Sequence, residues 1–130
     1  MSDPSAAVRA ALLARLRVAL NPLGIKVYDE VPSTRTWPYV ALRSLQTIPD
    51  ETDCSAGSEV FVDFDGWSKK LNHSETGAIT ATVRQALSTD LVVEGHHVII
   101  QEFGTAQQTG DPDPSIARVA LSLRLETEPA

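Results

Sequence analysis

The chain has 130 residues, of which 42% are hydrophobic and 22% charged, a globular balance far from that of a disordered chain; at this length folding hides roughly 67% of the surface, enough for one domain over 1–130. Eleven Lys and Arg against seventeen Asp and Glu give a net charge of -6, opposite to the basic footprint of a phosphate-binding domain. Cys54 is the single cysteine, so an intramolecular disulfide or cysteine-pair zinc site is excluded and a reducing cytoplasm is expected; no apolar run nears a membrane span, and Met1-Ser2-Asp3-Pro4 does not begin an export signal.

From Asp3 to Leu20 the chain reads as a helix. Asp3 is placed to cap it and Pro4 to occupy the first turn, where a missing N–H costs nothing. Val8, Leu12, Leu16 and Leu20 recur every four residues, with Leu13 and Ala19 beside them and Arg9, Arg15 and Arg17 on the flank, so one face is buried. Asn21-Pro22-Leu23-Gly24 ends it. Ile25 to Asp29 reads as a short strand and Pro38 to Thr47 as a longer one, separated by turn residues Pro32-Ser33-Thr34. Ile48 to Gly57 is polar and aperiodic, which predicts an exposed, mobile loop. Glu59 to Trp67 alternates: Val60, Val62 and Phe64 point one way, and Glu59, Phe61, Asp63, Asp65 and Trp67 the other.

A second helix is expected from His73 to Leu87, since Asn72 followed by Glu75 resembles a capping box and Ile79, Val83, Ala86 and Leu87 form a stripe. Gly77 weakens it by roughly 1 kcal/mol relative to alanine. Leu91 to Val93, Glu94-Gly95 and the run from His97 to Gln107 read as a tight hairpin. Asp111-Pro112-Asp113-Pro114 then turns the chain into a last strand with Val119, Leu121, Leu123 and Leu125 inward. The expected class is α+β: a mostly antiparallel sheet with two helices packed on one face, in the order α-β-β-β-α-β-β-β.

Chemistry leaves few marks. The glycines are scattered and none opens a helix as a phosphate loop would, so no nucleotide cofactor is indicated. His96 and His97 are adjacent and point to opposite faces of a strand, and His73 lies far from both, which reads as three polar residues rather than a metal site. Asp63 and Asp65 share a strand face and are the one carboxylate pair suited to acid–base work. Phe61 and Trp67 share that face as well, and aromatic residues there favour a contact surface over a catalytic cleft. Asp50, Glu51 and Asp53 in one loop and Asp111 and Asp113 in another lack the spacing of a calcium loop and read as solvated or partner-binding acids.

Val27-Tyr28-Asp29-Glu30-Val31-Pro32, then Trp37-Pro38-Tyr39-Val40-Ala41-Leu42, an acidic loop and a strand closing on Trp67-Ser68 resemble, in order, the tail-completion family of long-tailed DNA phages, prophages and gene-transfer particles. The likeness continues through Val83-Arg84-Gln85-Ala86-Leu87 and the Asp-Pro-Asp turn before Arg118-Val119-Ala120-Leu121. The resemblance implies a tail terminator, a non-enzymatic structural protein of the virion without cofactor or metal. It implies a homo-oligomeric ring, a hexamer, on the head-proximal end of the tail tube. Its partners would be the tube protein and the head–tail connector, with DNA passing through unbound and the particle assembled in a bacterial cytoplasm. In that setting Asp50, Glu51, Asp53, Asp111 and Asp113 are expected in docking elements, and Phe61, Asp63, Asp65 and Trp67 on a subunit or tube contact. The rival readings are another connector or tube component, a small oligomeric enzyme using Asp63, Asp65 or a histidine, and an acidic module that recruits a basic partner.

Overall fold

A computed structural model describes residues 3–52 and 55–130; side chains at positions 50–52, 55 and 56 are not described. Helix α1 spans Ser5–Leu20 and is followed by a 3-10 turn, Asn21–Leu23. Strands β1 (Lys26–Tyr28), β2 (Tyr39–Thr52) and β3 (Ser55–Ser68) come next, then helix α2 (Ser74–Ala86) and strands β4 (His96–Gly110) and β5 (Ala117–Pro129). They form one sheet in the order β1-β2-β3-β5-β4.

The first helix forms as the sequence predicts. The Asp3 carboxylate accepts the Ser5 N–H at 2.9 Å, Val8, Leu12, Leu13, Leu16 and Leu20 are buried, and Gly24 turns the chain away at φ 70°. In α2 the anticipated capping box is not made. Asn72 accepts the Ser74 N–H at 3.1 Å, but Glu75 takes the Ser68 hydroxyl at 2.7 Å instead, tying the helix start to the end of β3.

The expected class is found: both helices lie on one face of a sheet that is antiparallel except for the β1–β2 pair. That parallel pair is absent from the sequence reading. Two further details differ. Within Ile48 to Gly57 the described residues, 48–52 and 55–57, are not a loop but the outer arms of the β2–β3 hairpin, paired as Ile48↔Glu59, Pro49↔Ser58, Asp50↔Gly57, Glu51↔Ala56 and Thr52↔Ser55. Backbone pairing supplies the order that apolar alternation does not. Leu91 to Val93 joins no strand, so two long strands follow α2. Leu91 and Val93 are buried all the same, and the Gln101 side chain accepts the Leu91 N–H at 2.8 Å.

The core lies between the helices and the inner face of the sheet, where Val60, Val62, Phe64, Val119, Leu121, Leu123 and Leu125 meet Leu12, Leu16, Leu20, Ile79 and Val83. Gly66 permits this contact: a Cβ there would stand 2.9 Å from Val119 Cγ1 and 3.1 Å from Ile79 Cγ2. Among the described residues no helix covers the outer face.

Candidate functional site

That open outer face is built by the pleat, which sends alternate residues of β3 and β5 away from the core. Register sets its rows. Trp67 sits between Tyr39 and Arg118, Asp65 between Ala41 and Ala120, Asp63 between Ser44 and Ser122, Phe61 between Gln46 and Arg124, and Glu59 between Ile48 and Glu126.

Two charge clusters knit these rows. Asp65, only 4% exposed, is held by Arg43 at 3.1 Å and Arg118 at 2.9 Å. The Leu42/Ser44 irregularity in β2 adjoins Arg43. Further along, Arg124 donates to Glu59 at 2.7 Å and to Glu126 at 2.6 Å, with Glu102 at 3.5 Å; the hydrogen bond to Glu59 is the chief reason its guanidinium is pushed above its ordinary value. Asp63 accepts the Ser44 hydroxyl at 3.1 Å. Phe61, Asp63, Glu102, Ser122 and Arg124 line a depression of about 420 Å³. Phe61, Asp63, Asp65 and Trp67 thus share one surface, as their alternation predicts. Asp63 and Asp65 are not a free carboxylate pair, because Asp65 is committed to two arginines.

The acidic segments lie at opposite ends of the sheet. Asp50 and Glu51 occupy the outer rungs of the β2–β3 ribbon, past Ser58↔Thr127, where the β3–β5 ladder ends. Asp53, like Cys54, lies outside the described residues. Asp111 and Asp113 sit at the other end, in the β4–β5 turn closed by Gly110↔Ala117 beside Ser68. Asp113 is structured by its own turn: the Ser115 backbone N–H and hydroxyl hold its carboxyl below the ordinary value, and the Lys69 ammonium adds to that.

Beside this turn lies a feature the composition does not announce. Both tryptophans and both tyrosines of the chain converge there: Tyr39 meets Tyr28 at 5.6 Å, Trp37 at 5.0 Å and Trp67 at 6.4 Å between ring centroids. Cations lie over the rings, with Lys69 5.1 Å from Trp37, Arg118 5.4 Å from Trp67 and Arg35 5.9 Å from Tyr39. The Trp37–Pro38 peptide here is cis. Tyr28, Arg35, Trp37, Tyr39, Lys69 and Arg118 were not among the site residues expected from the sequence. The signal that finds four of these six is the set of short motifs that carried the family resemblance, Tyr28 with Val31-Pro32, Trp37-Pro38-Tyr39 and Arg118-Val119, whose ends meet at this corner.

The histidines do not gather. His73 precedes α2 and bonds Thr76 at 2.9 Å, while His96 and His97 open β4 at the far end of the sheet. Among the described residues no group of three His, Cys, Asp or Glu could hold a metal ion, and no helix is long and apolar enough to cross a membrane.

No curated protein matches the chain. Among solved structures, a chain from the virion of a native gene transfer agent particle has the same fold, with a TM-score of 0.85 and 23% identity over 98% of this chain and 99% of that one. The gp17 protein of bacteriophage SPP1 is also similar, with a TM-score of 0.62 and 22% identity over 93% of this chain and 88% of that one. The family model described as tail completion protein gp17 matches residues 6–128. With the match covering nearly the whole chain, the protein belongs to the tail completion gp17 family, structural proteins of tail assembly in phage-type particles.

Proposed function

We propose that the protein is a tail terminator: a ring of copies, a hexamer, that caps the head-proximal end of the tail tube, stops its polymerisation and gives the head connector a surface to dock on. The observation that carries this reading is the uncovered sheet face. A domain that buries one face of its sheet under two helices, and leaves Phe61 and Trp67 on the other among fixed ion pairs, has a surface suited to a partner. Hairpins project at both ends of that sheet, so contacts can be made along two directions. Head-to-tail contacts between such surfaces close into a ring when the rotation permits. The net charge of -6 suits a ring through which DNA passes without sticking. The structural role rests on the family match; Asp65 of the Asp63–Asp65 pair is engaged by Arg43 and Arg118, which does not favour the acid–base alternative for that pair.

Negative-stain microscopy of the purified protein, with and without tail tubes, tests the reading. Discrete rings and capped tube ends are expected; long tubes grown from this protein alone would make it a tube subunit. Replacing Phe61 and Trp67 together by serine should weaken assembly while the monomer keeps its circular dichroism spectrum. An unchanged ring would remove the open face from the contact.

A further inference from the structure

The two ends of the sheet differ in charge: one is acidic, and the other mixes exposed cations with Asp111 and Asp113 of the β4–β5 turn. At the ribbon end, Thr47–Thr52, Ser55–Val60, His96–Gln101 and Leu125–Pro129 together contain Asp50, Glu51, Glu59, Glu126 and Glu128 and not one Lys or Arg. Arg124 alone reaches in from the adjoining row, bound to Glu59 and Glu126. At the opposite end stand Arg35, Lys69 and Lys70, all exposed. Among the ion pairs of the described residues only Lys70 of these three appears, with Glu75 at 4.0 Å. Lys69 lies over Trp37, and Leu71 beside it is 58% exposed. Of this patch Trp37 and Arg35 are of the residue types that anchor interfaces, and the lysines add charge around them.

We infer that this corner, formed by Arg35, Trp37, Lys69 and Lys70, is the docking surface for the acidic β2–β3 ribbon of a second copy of the chain. The inference rests on the ring reading and names the two surfaces of its repeating contact. Charge complementarity selects the occupant: the corner offers cations and an aromatic ring, and the ribbon offers Ile48-Pro49-Asp50-Glu51, acidic with an apolar flank. One molecule cannot satisfy itself, because the corner and the Asp50-Glu51 rungs lie toward opposite ends of β2, a strand of 14 residues and so roughly 44 Å long at ~3.4 Å per residue. Two different patches at opposite ends make a heterologous contact, the kind that repeats from copy to copy. A two-stranded ribbon is marginal in isolation, and a neighbour's surface supplies the third side that β5 no longer covers beyond Ser58. Asp113 stands near Lys69 at this end, so the cations there are not alone and a partner that also brings an apolar contact suits the corner better than bare charge.

The test is a charge exchange. One variant carries Lys69→Glu and Lys70→Glu, the other Asp50→Lys and Glu51→Lys, and assembly is scored by sedimentation in solution and by microscopy on tail tubes. Each variant alone should need at least ~10-fold more protein to assemble than wild type, through like-charge contacts. An equimolar mixture should recover assembly, because every contact in an alternating ring again joins opposite charges. If a reversed variant fails to fold, the neutral pairs Lys69→Gln with Lys70→Gln, and Asp50→Asn with Glu51→Gln, test the loss of assembly alone, because their mixture restores opposite charges at only every second contact. Rings formed by each variant as readily as by wild type overturn the inference and leave the ring standing. A mixture that stays as weak as its components overturns it as well. Wild type that assembles neither in solution nor on tubes overturns the ring reading itself, and the inference with it.

Discussion

Strands β3 and β5 present two faces made from neighbouring residues of the same segments, yet held by different physics. Inward, Val60, Val62, Phe64, Val119, Leu121, Leu123 and Leu125 are all at most 1% exposed. Outward, Phe61, Asp63, Arg124 and Glu126 remain half-buried; Arg124 and Glu126 form an ion pair and Asp63 accepts the Ser44 hydroxyl. Burial of apolar area stabilises the first face strongly, whereas partly solvated ion pairs contribute little. The fold therefore depends chiefly on one face and leaves the other available for the proposed assembly contact. Phe64→Ala should break this division most severely, with a loss of about 3–5 kcal/mol in urea unfolding. Phe61→Ala, three residues before it, should cost about 1 kcal/mol and act on assembly instead. Equal losses would mean that the outer face is as much a core as the inner one.

Two smaller changes sharpen the boundary between the faces. Gly66→Ala places a methyl group against Val119 and Ile79, both packed and unable to yield without disturbing the helix–sheet contact; overpacking of this kind costs about 1–3 kcal/mol, readable as a lowered Tm. On the outer side, Asp65→Asn leaves two guanidinium groups facing a neutral amide. Arg43 and Arg118 are 47% and 29% exposed at the side chain and can turn to water, so the expected loss is about 1–2 kcal/mol, below that of a fully buried broken pair. A loss near that of Phe64→Ala would show that the outer charge cluster holds the sheet together.

What the sequence made legible follows the same division. Wherever a face is buried, periodicity shows it: the four-residue spacing of α1 and the two-residue alternation of β3 and β5 appear in the structure with the expected residues inward. Where order comes from backbone pairing alone, periodicity is silent. Pro49-Asp50-Glu51-Thr52 has no apolar rhythm because, beyond Ser58, no β5 residue pairs with β3. The parallel β1–β2 pair was equally hidden, since nothing in Lys26-Val27-Tyr28 distinguishes a parallel from an antiparallel neighbour. Local spacing pairs Glu75 with Asn72 as a capping box because it cannot reveal a hydroxyl arriving from Ser68. Of the site, the shared face of Phe61, Asp63, Asp65 and Trp67 was readable from alternation. The aromatic corner was not, because its rings come from three separate segments and its cations lie between them.

The smallest expected effect belongs to Asp3, which anchors the start of α1, the helix that covers the inner face. The Ser5 hydroxyl first, and then the Ser5 N–H, hold its carboxyl below the ordinary 3.8. A group depressed in this way contributes stability above its unfolded pKa and loses that contribution as pH falls through its folded pKa. Asp3→Ala should therefore lower Tm slightly at pH 6, where the carboxylate is charged and accepts both bonds. The difference should shrink below pH 4 and vanish once the wild-type carboxyl is protonated. Ser5 also hydrogen-bonds Thr47 of β2 at 2.6 Å, so the helix keeps one tie to the sheet in the variant and the effect stays small. A gap in Tm that persists undiminished at pH 2 would assign the anchoring to the shape of the turn rather than to the charge of Asp3.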